Sequence, residues 1–540
     1  MTQPPPPPPN QPPPPPGYGY PQGPNPYAQP PQPPQQPQPP YGYGHPQQPQ
    51  PVYAPQPPAP QRKMNAQAVI IVSAVAAIAL IIGGGVWYSS SKDAPSDDKN
   101  NAAGTNGATG TTGGTGGDGG AVKAPANTAS KVLFQVPEPA IGADENSATV
   151  VGSWLTDTVY AKSGRAEIVG YDPVKGTKLW TVPLPGPVCE ASRHTTADHR
   201  TAIVFEPAMP TKDKPSHGCS QVAAIDLEAG KKLWTRTVKS GDQAISLNNV
   251  TISANTVAVG STSGGAAFDI TGKPLWAPKP DGACYDAGYG GGEKLVAVRK
   301  CGTYGARQLG IQTIDPVSGK VLSEYKMAKG IEDASIVSTN PLVVAADVNH
   351  SAGDGSGISD FFSIDNKTGQ LRTKISAPGD KYAAKCEGIT RIEYCTKLAV
   401  GNDKLYVPTE DHDGSGEYSR TNEIVAFDLA TGKLDGQRAD AGNGWSISPL
   451  TMDDGNVIAY KRPPYDKGGE VVSIDGGSFA QTTLMRNPAT KPVRDIEFSM
   501  QPDYAEIIYA DGRLYMSQVY AHKTSTTGEK EYLAIAYGTS

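Results

Sequence analysis

Beyond residue 130 the chain runs as short stretches of alternating apolar and polar residues. Seven of them end in an aspartate with a glycine one to four residues on. The fullest copies continue into Leu-Trp: Asp172…Gly176…Leu179-Trp180, Asp226…Gly230…Leu233-Trp234 and Asp269…Gly272…Leu275-Trp276. Reduced copies follow at Asp315/Gly319, Asp365/Gly369, Asp428/Gly432 and Asp475/Gly476. Successive aspartates stand 54, 43, 46, 50, 63 and 47 residues apart, a period that points to a propeller or a solenoid.

Within each unit the alternation predicts four strands, A to D; in the first they fall at 148–155, 158–162, 167–171 and 179–182. The step from Asp to Gly is the C–D hairpin. The carboxylate accepts backbone N–H groups just ahead of it, and glycine supplies the positive φ that the turn demands. Trp180, Trp234 and Trp276 open strand D, where a flat ring packs between neighbouring blades. An eighth unit lacks the aspartate but carries strands at 505–509, 513–520 and 532–537. Its fourth strand comes from the other end, because 131–136 (Lys-Val-Leu-Phe-Gln-Val) reads like the D strand at 232–237. Pairing the two ends closes a ring and removes an exposed sheet edge. The expected fold is therefore all-β, an eight-bladed β-propeller over 131–540, with seven blades as the alternative.

The pattern of a hydrophobic run, Asp-x-x-x-Gly and then Leu-Trp, at Asp172, Asp226 and (one residue shorter) Asp269, resembles the PQQ-binding-like β-propeller repeat. That repeat occurs in quinoprotein alcohol dehydrogenases and in the propeller lipoprotein of the outer-membrane β-barrel assembly machinery. WD-type repeats are the alternative, but no Trp-Asp dipeptide closes a unit. In the quinoproteins a disulfide between adjacent cysteines stacks on the quinone, a Trp forms the floor, and an Asp base and a Ca²⁺ sit nearby. This chain has no adjacent cysteines. The resemblance thus implies the fold without the cofactor: no PQQ is expected, and no catalytic or cofactor-binding residue is assigned.

Composition divides the remainder. Residues 1–63 open with 28 of the 52 prolines and no charged residue before Arg62, a disordered tail of polyproline II character. Residues 64–88 hold an uncharged stretch from Ala66 to Tyr88, about 30–35 Å as a helix and long enough to cross a bilayer. Arg62 and Lys63 on one flank, with Trp87 and Tyr88 on the other, place the tail in the cytoplasm and the C-terminal part outside. Residues 89–130 are a Gly/Ala/Thr-rich tether with a reach of about 35 Å. The expected setting is the plasma membrane, crossed once. This arrangement resembles actinobacterial membrane proteins that join a proline-rich tail, one span and a propeller.

Five of the 47 basic and four of the 53 acidic residues precede residue 131, leaving 42 against 49 and a balance of −7 for 131–540. That mild acidity argues against a nucleic-acid partner. All six cysteines lie in this part, and the repeat map favours Cys189–Cys219, Cys284–Cys301 and Cys386–Cys395 among the 15 pairings.

Chemical motifs are few. Asp411, Asp413 and Ser415, with Gly416 following, set oxygens in the order of a Ca²⁺ loop, but Asn422 stands where the bidentate Glu belongs. The histidines lack ligand spacing. The C–D turns are short, whereas B–C connections are long at 208–218, 302–309, 349–359, 410–422, 462–469 and 522–530. These share one face of a propeller, where binding concentrates. Tyr304, Arg307, Tyr418, Arg420, Tyr465 and Tyr520 are its candidate anchors. The sequence predicts a non-catalytic envelope module that takes a protein, peptide or glycan on this face; the alternative is a quinoprotein-like oxidoreductase or another propeller enzyme.

Overall fold

Eight antiparallel four-stranded sheets arise from the alternating runs among the described residues. The computed structural model describes 124–540, apart from 143–144, 281, 304, 350, 353–356, 387–390, 417–418, 524–529 and 540. These residues belong to one compact unit, Asn106–Ser540. The proline-rich tail, the span at 64–88 and most of the tether lie outside them, as do Tyr304 and Tyr418. Among the described residues no helix is long and apolar enough to cross a membrane.

Blade 1 consists of Ser153–Leu155, Tyr160–Ser163, Glu167–Tyr171 and Lys178–Pro183, hydrogen-bonded in that order. The order recurs in blades 2 to 7, whose A strands begin at Val188, Asn249, Cys284, Ser335, Ala399 and Ser446. Blade 8 takes Ala505–Ala510, Arg513–Gln518 and Tyr532–Gly538 from the end of the chain and Lys131–Pro137 from the start. Lys131 lies opposite Gly538 and Pro137 opposite Tyr532, so the ring closes as expected. The A strands of blades 2 to 5 touch in succession, as do those of blades 6, 7, 8 and 1, which sets them around the axis. D strands form the exposed rim, and the apolar core lies in layers between blades.

Among the strand limits that differ from the sequence reading, two change which strands pair. Strand A of blade 1 begins at Ser153 rather than 148, because Gly152 turns the chain at φ +115°. Ser147–Thr149 instead pairs with Tyr520–His522, and strand B of blade 8 stops at Gln518. Tyr520 therefore belongs to this small ladder.

The aspartates act as the sequence indicates. Asp172 Oδ1 accepts the N–H groups of Val174 at 2.9 Å and Lys175 at 2.8 Å, while Gly176 N–H returns to the Asp172 carbonyl at 2.9 Å. Asp365 does the same with Lys367 and Thr368, and Asp428 with Ala430 and Thr431. The Thr431 hydroxyl at Asp428, the Thr368 hydroxyl at Asp365 and these backbone bonds hold the Asp172, Asp365 and Asp428 carboxyls below the usual carboxylate range. In blade 7 the positive φ falls on Phe479, at +59°, not on Gly476. Gly476 is needed for another reason: a Cβ there would lie 2.3 Å from the Gly455 carbonyl oxygen.

The glycine and the Trp of the motif turn out to be partners across blades. A Cβ on Gly230 would sit 2.2 Å from Trp180 Cγ of the preceding blade, and one on Gly272 would sit 2.7 Å from Trp234 Cγ. Phe134 takes the same place over Gly176, and Trp276 over Gly319. At these four hairpins a ring of the preceding blade seats on the turn. Leucine before Trp is a bulge residue: Gly170 faces Trp180 and Tyr171 faces Lys178, leaving Leu179 unpaired on the rim. A bulge at each C–D pair adds twist to the outer strand.

Gly369 and Gly432 depart from this seating. Both have the positive φ that the Asp-to-Gly step predicts, +69° and +71°. In the blades that precede them, however, Ser323 and Thr373 stand where the fuller copies carry Trp. Without a ring as spacer, the outer strand itself closes on the turn. A Cβ on Gly369 would lie 2.3 Å from the Glu324 carbonyl oxygen. One on Gly432 would lie 2.8 Å from Thr373 Oγ1 and 3.1 Å from the Lys374 carbonyl oxygen. The packing of an aromatic ring between blades, expected from the full motif, is thus replaced here by backbone and a small hydroxyl side chain.

Cys189 is bonded to Cys219, Cys284 to Cys301 and Cys386 to Cys395, and among the described residues no cysteine is free. The first two bridges lie within blades 2 and 4. The third closes the connection between blades 5 and 6.

Candidate functional site

Two places are candidates for a functional site: the axis and the B–C face. At the axis, the connection from blade 5 to blade 6 leaves the ring and crosses the centre. The Ile392 carbonyl accepts Ile336 N–H of blade 5 at 2.7 Å. Glu393 Oε1 accepts Gly291 N–H, beside strand A of blade 4, at 2.8 Å and pairs with His194 Nε2 of blade 2 at 2.8 Å. Arg391 Nε meets Glu190 Oε1 of blade 2 at 2.9 Å. Lys397 Nζ reaches Asp503, just before blade 8, at 2.7 Å. A segment that touches blades 2, 4, 5 and 8 together has to run through the middle.

The Arg193 and Arg391 guanidinium groups both lie over the Tyr394 ring, each 5.1 Å from its centre. Ile392 is buried, packed so close to Gly288 that a Cβ there would stand 2.4 Å from it. Burial pushes the Glu393 carboxyl up, but His194 and the donors around it outweigh that and hold it below the usual range. The plug is therefore bound by charge as well as by packing. No sequence signal marks it, since His194 and Glu393 are 199 residues apart and neither sits in a motif.

On the B–C face, the structure joins two of the sequence candidates. Arg420 and Tyr465 line one cleft of about 370 Å³ between blades 6 and 7, with Arg462, Pro464 and Phe498. Arg420 reaches it because His412–Asp413 and Arg420–Thr421 pair as a small ladder that extends the blade 6 hairpin. Its guanidinium donates to the Asp411 carbonyl. Arg462 sits over the Phe498 ring at 5.8 Å. Phe498 comes from the helix Lys491–Ser499, an element the sequence reading does not place. Pro492 suits its first turn, and Val493 and Ile496 pack against the blade 7–8 core. Buried Glu497 fixes this helix by accepting Tyr460 O–H at 3.0 Å, Gly469 N–H at 3.0 Å and the Asn487 amide at 2.6 Å. Arg494 in turn donates to the Tyr465 carbonyl and so holds the loop.

The other described candidates, Arg307 and Tyr520, are not among the residues that line the cleft. Arg307 lies over the Tyr285 ring at 6.0 Å in blade 4, and Tyr520 is in the ladder with Thr149. Asp411 Oδ1 accepts the Ser446 hydroxyl at 3.2 Å, and His412 pairs with Glu423 at 3.1 Å. The His412 imidazole is raised by its bond to the Asp413 backbone and by Glu423. Asp411, Asp413 and Ser415 lie exposed along this hairpin. Among the described residues the one cluster of three metal-ligand types is Cys189, Glu206 and Cys219, whose two sulfurs are bonded to each other.

Compared with known proteins, residues 83–279 and 220–434 match the family described as outer membrane protein assembly factor BamB. Among solved structures the chain is similar to BamB from Moraxella catarrhalis, with 12% identity over 75% of this chain and 97% of that one and a TM-score of 0.37. It is similar also to quinohemoprotein alcohol dehydrogenase from Comamonas testosteroni, with 11% identity, 77% and 78% coverage and a TM-score of 0.42. The C-terminal WD40 domain of Sif2 gives 11% identity, 76% and 99% coverage and a TM-score of 0.43. No curated protein matches the sequence.

Proposed function

The chain belongs to the family of outer membrane protein assembly factor BamB, and from that premise we propose that it is a non-catalytic binding or scaffold module of the cell envelope. Its working surface is the B–C face of the propeller, and one helix at 64–88 ties it to the plasma membrane with the propeller outside. The observation that carries this reading is the cleft between blades 6 and 7, where Arg420, Arg462 and Tyr465 converge. Three disulfides accord with an oxidising compartment.

The plug supports the non-catalytic part. A quinone on the axis would compete with Ile392, Glu393 and Tyr394 for the same A strands, so the residues present do not fit that group there. Two measurements test the proposal on the full chain. Titration with PQQ and Ca²⁺ is expected to give no cofactor absorbance and no dye reduction; stoichiometric uptake with reduction makes the chain an oxidoreductase. A Tyr465→Cys variant in intact cells is expected to react with a membrane-impermeant maleimide, and reaction only after permeabilisation places the propeller inside.

A further inference from the structure

Taking the B–C face as the binding surface, we propose that the cleft between blades 6 and 7 takes a carboxylate-rich segment of a partner protein. Arg420 and Arg462 receive its carboxylates, and Tyr465 and Pro464 receive a neighbouring apolar side chain. This deepens the reading above and rests on it.

Charge is the first ground. The propeller region carries −7 overall, yet two guanidinium groups share this cleft, and neither makes an ion pair among the described residues. Arg420 is held by a carbonyl and Arg462 by an aromatic face, neither of them a carboxylate. Behind them Lys461 and Lys467 lie over the Trp445 ring at 5.2 and 5.7 Å. Of the acidic residues near this group in sequence, Glu423 pairs with His412 and Arg438, and Glu470 pairs with Arg486 and Lys461; Asp466 adjoins Lys467, Glu417 lies outside the described residues, and Asp411 Oδ1 accepts the Ser446 hydroxyl.

Shape is the second. Tyr465 is 82% exposed, more than any other large hydrophobic side chain described, although its loop is pinned through the Arg494 bond to its carbonyl. An exposed ring on a pinned backbone loses less freedom on binding than one on a free loop and makes a good anchor. The volume suits a few side chains rather than a polymer. Planar guanidinium forks match carboxylates two bonds at a time. A long polyanion would meet the acidic remainder of the propeller, whereas a short acidic stretch meets only the cleft.

The test uses the full chain and a fluorescent oligoglutamate peptide, read by anisotropy at low and physiological salt. Saturable binding is expected, weakening with salt, while a Gly-Ser peptide of equal length does not bind. Arg420→Glu with Arg462→Glu should raise the Kd about tenfold or more, and Lys178→Glu with Lys231→Glu, on the opposite face, less than about twofold. Arg420→Gln with Arg462→Gln provides the same comparison should charge reversal disturb folding. Equal binding by the double variants overturns the assignment. So does a tighter hold on polyphosphate or a uronic-acid glycan, which would make the ligand a different class of anion. If the peptide ignores the cleft while partners still cross-link at Tyr465 in cells, this assignment fails and the binding-face reading stands.

Discussion

Six of the seven motif glycines, all but Gly476, follow their aspartates at a hairpin apex with positive φ. For Gly176, Gly230, Gly272 and Gly319 the sequence reading recovers half of the role. The left-handed conformation is local, so the Asp-to-Gly spacing betrays it. The second half, room for the ring of the preceding blade, depends on a residue 38 to 50 positions earlier and is invisible until the blades are stacked. Gly369 and Gly432 keep the first half and exchange the second for close approach of the neighbouring strand, because Ser323 and Thr373 supply no ring. Gly230 and Gly218 separate the two roles: both have positive φ, but a Cβ on Gly218 meets nothing within 4 Å. Gly218→Ala should cost about 1 kcal/mol and Gly230→Ala about 1–3 kcal/mol more, measured by urea denaturation. Phe479 shows the reverse misreading: the ring packs 6.0 Å from Tyr406, and that burial outweighs the positive φ it accepts. The turn aspartates also predict a pH response. The folded values of Asp172, Asp269, Asp315, Asp365, Asp428 and Asp475 lie below the usual range through hydrogen bonding. Their stabilisation is complete above the unfolded value, about pH 4, and drains away as pH falls through the folded one. Melting temperature should therefore drop on acidification, and less steeply in Asp428→Asn; an unchanged slope would contradict this.

Among the elements, the ring closure is legible because a lone D-type strand at 131–136 matches an eighth unit lacking its own. The helix at Lys491–Ser499 and the plug are not. A nine-residue helix inside a long connection lacks the length for a clear period, and a plug is defined by what it touches. The closing strand also stacks Phe134 against Gly176, and the same seam buries Lys162, which donates to the Val150 carbonyl at 2.6 Å and to Glu506 at 2.7 Å. Burial lowers the Lys162 ammonium and Glu506 opposes it. Glu506→Gln, which strands that charge, should cost about 3 kcal/mol by denaturant titration. Removing 131–137 should open Tyr532–Gly538 to hydrogen exchange and leave blades 3 to 6 protected. Unaltered protection at 532–538 would mean that the ring closes some other way.

At the scale of the molecule, the wheel's two unlike faces and its filled centre determine where a partner can sit. Short aspartate turns occupy one face, and the other carries long loops, the cleft and the inserted helix. Of the six anchors drawn from sequence, Arg420 and Tyr465 meet. Arg307 and Tyr520 do not join them, since residue type marks an anchor but only blade geometry decides which loops are adjacent. Arg462, Phe498 and Trp445 escape a sequence reading for that reason. The most direct test puts a photo-cross-linking residue at Tyr465 or, on the short-turn face, at Val317, in full-length chain within living cells. A defined product at 465, absent at 317 and lost on Arg420→Glu with Arg462→Glu, is the expected result. Equal capture from both positions, or capture from 317 alone, would contradict a working B–C face.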